Sequence, residues 1–155
     1  MDRLLGREKL LTLSWVAAYA LGMAYVEAAV VAYLRLLTPG QSFDASQAAV
    51  AGALPPRIVY TEAGREAATL VMLVAVACLA ARKGWWKRLG YLLWAFAVWD
   101  VLYYAWLCVL IGWPPGLMTM DVLFLIPFVW VAPVVFPIAV SGVMMVLALV
   151  ILKRA

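Results

Sequence analysis

The chain has 155 residues, of which 68% are hydrophobic and 13% charged, with a mean hydropathy of +1.02. A soluble domain is about half apolar and a quarter charged, so the composition excludes an ordinary soluble domain and leaves little room for one beside the apolar runs. The net charge of +4 does not point to nucleic acid, because the basic residues are sorted by position along the chain, and the absence of histidine excludes histidine-ligated haem and histidine acid–base chemistry.

The opening stretch MDRLLGREKLLTLSWVAAYALGMA has the basic start, apolar run and AYA site of a signal peptide. The apolar run continues past AYA to Leu34, so a retained first span over residues 11–34 is expected. A loop rich in turn residues follows from Thr38 to Arg57; a short surface helix fits around Ala45 to Ala53, ended by Pro55-Pro56. The second span is expected over 58–81 and the third over 89–111, with the basic loop ARKGWWKR between them and the breaker GWPPG after them.

From Val122 to Leu152 the sequence is almost continuously apolar. As one helix it would measure ~46 Å, too long for one span across ~30 Å of hydrocarbon and too short for two. Pro127, Pro133 and Pro137 fall in its first half. A short, proline-broken segment from Asp121 to about Val131, interfacial or re-entrant, is therefore expected, with a last span over 133–152. The fold class is all-α: an integral membrane helical bundle of four transmembrane spans in a single transmembrane domain covering residues 1–155. Five elements are the alternative.

Basic residues in short loops set orientation. Arg3, Arg7 and Lys9 precede the first span, Arg82, Lys83, Lys87 and Arg88 join the second to the third, and Lys153 and Arg154 follow the fourth. With four spans all of these share one side, which predicts a multi-pass protein of the cell (inner) membrane with both termini cytoplasmic. Trp85, Trp86 and Trp113 fit interfacial aromatic belts. Cys78 and Cys108 lack CxxC or metal-ligand spacing. They are expected to lie ~20 Å or more apart along the membrane normal, beyond the ~7 Å limit for a disulfide.

Against this background the acidic residues stand out. At 1.5 Å per residue, Glu27 lies ~12 Å below the outer end of the first span, Glu62 ~6 Å and Arg65 and Glu66 ~10–12 Å below that of the second, and Asp100 ~18 Å below that of the third. Asp121 is expected at the outer surface. Glu62, Arg65, Glu66 and Thr69 share one helix face; Asp100, Tyr103 and Tyr104 share another, flanked by Trp99 and Trp106; Tyr19, Met23 and Glu27 share a third. Small residues (Ala17, Ala20, Gly22, Ala24 and Ala28) let neighbouring helices approach closely. One polar cluster between three spans is the economical arrangement, and Glu27, Glu62, Arg65, Glu66, Asp100, Tyr103 and Tyr104 are its candidate ligand-binding residues. Four carboxyls facing one buried cation leave an excess of negative charge that protons or a bound cation would balance. Intramembrane ionisable groups mark functional sites by default, though a buried ion network that fixes helix packing uses the same residues.

The stretches VEAAVVAYLR, EAGREAATLVML, WDVLYYAWL and DVLFLIP resemble segments of a small multi-spanning bacterial membrane-protein family of unassigned function, over most of the first three spans and the start of the tail. That resemblance implies no activity. Four spans with a first-span glutamate and aromatic residues are also loosely similar to small multidrug-resistance exporters, from which this chain departs in its length and in its carboxylates on the second and third spans. The GxxxxGK[ST] loop, HExxH, ExxH pairs and serine elbows are absent.

The leading expectation is a site that binds or transports a small cationic or amphiphilic molecule, with Tyr and Trp faces against the cation and proton coupling through Glu27 or Glu66. Two alternatives stay open. One is an intramembrane enzyme acting on a lipid-phase substrate, with Glu62 or Glu66 as an acid–base pair and Tyr103 or Tyr104 as proton donor, or with the carboxylates holding a hard divalent metal. The other is a structural subunit of a larger membrane complex. No metal motif and no particular cofactor is indicated; the expected partners are membrane lipid, the ligand, and a second copy or a partner membrane subunit, and not nucleic acid.

Overall fold

The computed structural model describes residues 6–37 and 55–155. The short helix expected around 45–53 lies outside the described residues. Four long helices run in antiparallel sequence: α1 (Arg7–Leu37), α2 (Pro56–Ala80), α3 (Trp85–Ile111) and α4 (Val135–Arg154). All four are long and apolar enough to cross a membrane, which makes this a membrane protein by length and composition. Large apolar side chains such as Trp15, Leu79, Val109 and Val146 point outward, as a lipid-facing surface requires.

The helix ends have local causes. Pro56 sits at the first position of α2, where its missing N–H costs no hydrogen bond and its φ suits a helix. Arg88 Nε and Nη2 donate to the carbonyls of Ala81 and Arg82 at 3.0 and 2.7 Å, satisfying acceptors just beyond the end of α2. Gly112 ends α3 in the left-handed region (φ 65°) and donates to Cys108 O at 3.0 Å; that conformation favours glycine. Pro137 falls in the first turn of α4, where N–H groups have no intrahelical partner anyway.

α3 is the central helix, packed extensively against α1 on one side and α4 on the other, with α2 held more lightly and α1 and α2 barely touching. Close approach comes from small residues: Ala20, Ala24, Ala28, Ala95 and Ala97 are fully buried or nearly so. At Gly90 an added Cβ would meet Leu152 Cγ at 2.7 Å, so α3 and α4 touch there almost backbone to side chain. Indole and ammonium groups tie the bundle: Trp94 Nε1 donates to Leu13 O at 3.2 Å and Lys9 Nζ to Leu152 O at 2.7 Å. The second bond puts the basic start of α1 beside the basic end of α4, at the end of the bundle that also carries the 82–88 turn.

The segment expected to be proline-broken is a β-hairpin. β1 (Met120–Phe124) pairs antiparallel with β2 (Trp130–Pro133), with Asp121 opposite Ala132, Val122 opposite Val131, and a register irregularity before Phe124 pairs with Trp130. The hairpin enters the bundle. Asp121 reaches Tyr104, and Phe124 stacks on Phe96 (6.4 Å between centroids), eight residues or ~12 Å further along α3. Pro127 lies in the turn and Pro133 at a strand end, positions that need no ladder N–H. The cysteines Cys78 and Cys108 are free thiols on the outward surface of α2 and α3.

Candidate functional site

The polar residues come together between α1, α2 and α3, at the end of the bundle opposite the basic turns. On α2, Arg65 lies one turn from Glu62, and its Nε donates to Glu62 Oε2 at 2.8 Å. Its Nη1 lies 2.5 Å from Glu27 Oε1 on α1, an ion pair. The planar guanidinium serves two carboxylates on two helices, which a lysine ammonium could not do with the same geometry. The other oxygen of Glu27, Oε2, accepts from Trp99 Nε1 on α3 at 2.9 Å. Glu27 is thus engaged from two sides, by α2 and by α3.

Glu66 is 8% exposed and has a different task. Leu125 N lies 2.9 Å from each of its carboxylate oxygens, and Ile126 N donates to Oε2 at 3.3 Å. The carboxylate therefore holds the turn of the hairpin. Backbone N–H groups at membrane depth need an acceptor within the protein, and Glu66 supplies it.

Asp100 does not reach Arg65. At 100° per residue, Trp99 and Asp100 look to different neighbours on the central helix. Trp99 faces Glu27, and Asp100 faces α4, where Ser141 Oγ donates to its Oδ2 at 2.8 Å. Among the described residues Asp100 has no ion-pair partner.

Asp121 is corrected by the structure. Expected at the outer surface, it is 4% exposed, and it accepts from Tyr104 Oη at 3.0 Å. Burial pushes its carboxyl up to about 6, although the Tyr104 hydrogen bond and the charge of Arg35 pull the other way. Arg35, in the last turn of α1, stacks its guanidinium 3.9 Å from the Trp113 ring centroid.

These groups enclose a cavity of about 200 Å³. Its polar wall contains Glu27, Arg65, Glu66, Asp100, Tyr103 and Tyr104, and Asp121 joins them. Of the seven candidate residues only Glu62 lies off the wall, pairing with Arg65. The rest is aromatic and apolar: Phe96 meets Trp99 edge-on at 5.1 Å, and Trp130 meets Phe136 at 5.8 Å. The volume slightly exceeds the ~150 Å³ of an engineered cavity that takes up benzene. No group of three or more His, Cys, Asp or Glu side chains among the described residues converges as a metal site.

Sequence reasoning missed Ser141, Asp121 and the hairpin amides as members of the site. Ser141 was findable, being the one hydroxyl in the apolar run from Val135 to Leu152. Asp121 was marked by the apolar residues that follow it in DVLFLIP. The amides carry no signal in side-chain identity.

Fold and site together define a class: a polytopic helical membrane protein with a small acidic and aromatic cavity near one end of the bundle, roofed by a β-hairpin that enters between the helices. Comparison with protein-family models, with curated proteins and with solved structures finds no match in any of the three.

Proposed function

We propose that this is a multi-pass protein of a bacterial inner membrane, with both termini cytoplasmic, whose cavity binds a small organic cation and serves its recognition or transport at the outer face. The observation that supports this reading is Asp100. Its carboxylate lines the cavity, receives a hydroxyl hydrogen bond from Ser141, and has no ion-pair partner among the described residues. Of the other three acids on the wall, Glu27 is engaged by Arg65 and Trp99, Glu66 by backbone amides, and Asp121, which like Asp100 accepts from a hydroxyl, lies in the field of the Arg35 charge. An ammonium group near Asp100 would offset its charge and lie among the rings of Phe96, Trp99 and Tyr103; a ring face over a cation contributes ~0.5–2 kcal/mol.

The test is calorimetric titration of the purified protein with tetramethylammonium. Wild type should bind, and Asp100→Asn, which preserves shape and can still accept from Ser141, should bind at least tenfold more weakly. Equal binding by both would reject Asp100 as the counter-ion.

A further inference from the structure

The Glu27–Arg65 pair has two sides. Both side chains line the polar cavity, and both also line a separate open cleft of about 520 Å³ between α1 and α2. Apart from the hydroxyl-bearing Tyr19 and Thr69, the rest of that cleft is apolar or small, with Gly22, Val26 and Val30 on α1 and Ala68 and Met72 on α2. It exists because these two helices barely touch. From Ala18 to Val30 it runs ~18 Å at 1.5 Å per residue, a little more than half of a ~30 Å hydrocarbon core. It begins near the middle of α1 and ends toward the same end of the bundle as the cavity, so it covers about one leaflet.

A tail-shaped cleft and a head-sized cavity thus meet at one ion pair. We propose that the cavity's ligand is a single-chain cationic amphiphile that reaches it from the bilayer, with its hydrocarbon tail in the α1–α2 cleft and its ammonium head past Glu27–Arg65 beside Asp100. This rests on the reading of the cavity as a cation site. Charge selects the head: an anion would meet Glu27, Glu66, Asp100 and Asp121 against Arg65 alone on the cavity wall. Size selects it too, because about 200 Å³ suits a compact ammonium and not a bulky headgroup. The single channel between two helices selects one tail. The Glu27–Arg65 pair is the threshold, polar enough to pass a head and set in a mostly apolar wall.

The experiment compares two probes on the full chain in phosphatidylcholine nanodiscs: tetramethylammonium, a head without a tail, and dodecyltrimethylammonium, with its affinity corrected for partition into protein-free discs. The variants are Gly22→Phe and Ala68→Leu. A Cβ at Gly22 meets nothing within 4 Å and Gly22 lines the cleft, so the backbone there has room for a side chain to start into it. Expected is a tenfold or greater loss of dodecyltrimethylammonium affinity in Gly22→Phe and a smaller loss in Ala68→Leu, with tetramethylammonium binding unchanged in both. Dodecyl sulfate should not compete. If both variants keep wild-type affinity for the long-chain probe while tetramethylammonium still binds, the tail does not use the cleft and only the cavity reading survives. If wild type binds neither cation, the cavity reading fails and this inference with it. Competition by dodecyl sulfate as strong as by the cationic detergent would overturn the charge of the head.

Discussion

Removing the carboxylate of Glu66 should loosen the hairpin before it loosens the bundle. The side chain receives hydrogen bonds from two backbone amides, Leu125 N and Ile126 N, and is almost fully buried. Hydrogen bonds to a charged group contribute ~1.5–3 kcal/mol each, and a buried donor left without an acceptor costs ~1–3 kcal/mol. The 3.3 Å bond from Ile126 belongs at the weak end of that range. Glu66→Ala should therefore weaken hairpin closure by about 2–4 kcal/mol. At ~1.4 kcal/mol per tenfold, amide exchange at Leu125 and Ile126 should accelerate roughly 30- to 1000-fold if the hairpin opens locally. Glu66→Gln keeps one acceptor oxygen and loses the charge, so about half that effect is expected. Hydrogen–deuterium exchange of peptides covering 121–130, with peptides of α3 as internal reference, measures it. Exchange at 125–126 that is unchanged in Glu66→Ala, with α3 also unchanged, would refute the role assigned to this carboxylate.

Three further outcomes follow from the packing and the charges. Arg65→Ala leaves Glu27 and Glu62 uncompensated at a part-buried site and should cost about 3–5 kcal/mol; unfolding in detergent should show partial recovery in the double variant Arg65→Ala/Glu27→Gln, and no recovery would separate the two residues. Gly90→Ala places a methyl group 2.7 Å from Leu152 Cγ and should destabilise the bundle by about 1–3 kcal/mol; a thermal midpoint equal to that of wild type would show that Leu152 yields freely. Asp121 has a native pKa of about 6, raised by burial above its unfolded ~3.9. The folded state then holds the proton more tightly, so this residue's contribution to stability is fullest below about pH 4 and is lost as pH rises toward 6, a change of roughly 2–3 kcal/mol. Asp121→Asn should flatten the stability profile between pH 4 and 7, and a profile that keeps its slope would assign it to another group.

The spans were legible because a membrane helix announces itself by run length. The expected third span, 89–111, and the observed Trp85–Ile111 share an end, where GWPPG stops the helix. The first helix is longer than the expected 11–34, reaching from Arg7 to Leu37. Hydropathy marks where a helix lies in hydrocarbon, and not where its hydrogen bonds stop, so Arg7, Glu8 and Lys9 continue the helix without an apolar signal. Depth reckoning placed Glu27 and Arg65 at the same level, and they pair. It could not choose between faces of α3, because two neighbours compete for that helix. The hairpin was illegible for another reason. A strand with one wet face alternates polar and apolar residues, but MDVLF and WVAP are apolar on both faces after Asp121, and only Asp121 and Ala132 among them are buried. Periodicity then says nothing, and the prolines reveal only where a helix is not.

The hairpin divides the acids of the cavity wall. Non-helical backbone is tolerated at membrane depth only where the protein answers its polar groups, and here the answer at the turn comes from Glu66. Once Glu66 is committed to amides and Glu27 to Arg65 and Trp99, the negative charge counted in the sequence no longer forms one undivided cluster. It separates into an ion-paired side facing α2 and a hydroxyl-bonded side facing α4, with Asp100 and Ser141 on the latter. If the cavity takes a cation as proposed, the least compensated side of the wall is the α3–α4 side, away from the Arg65 charge. The same division explains why a single arginine suffices: its partners are Glu27 and Glu62, Glu66 is answered by backbone amides, and Asp100 and Asp121 are held by hydroxyls.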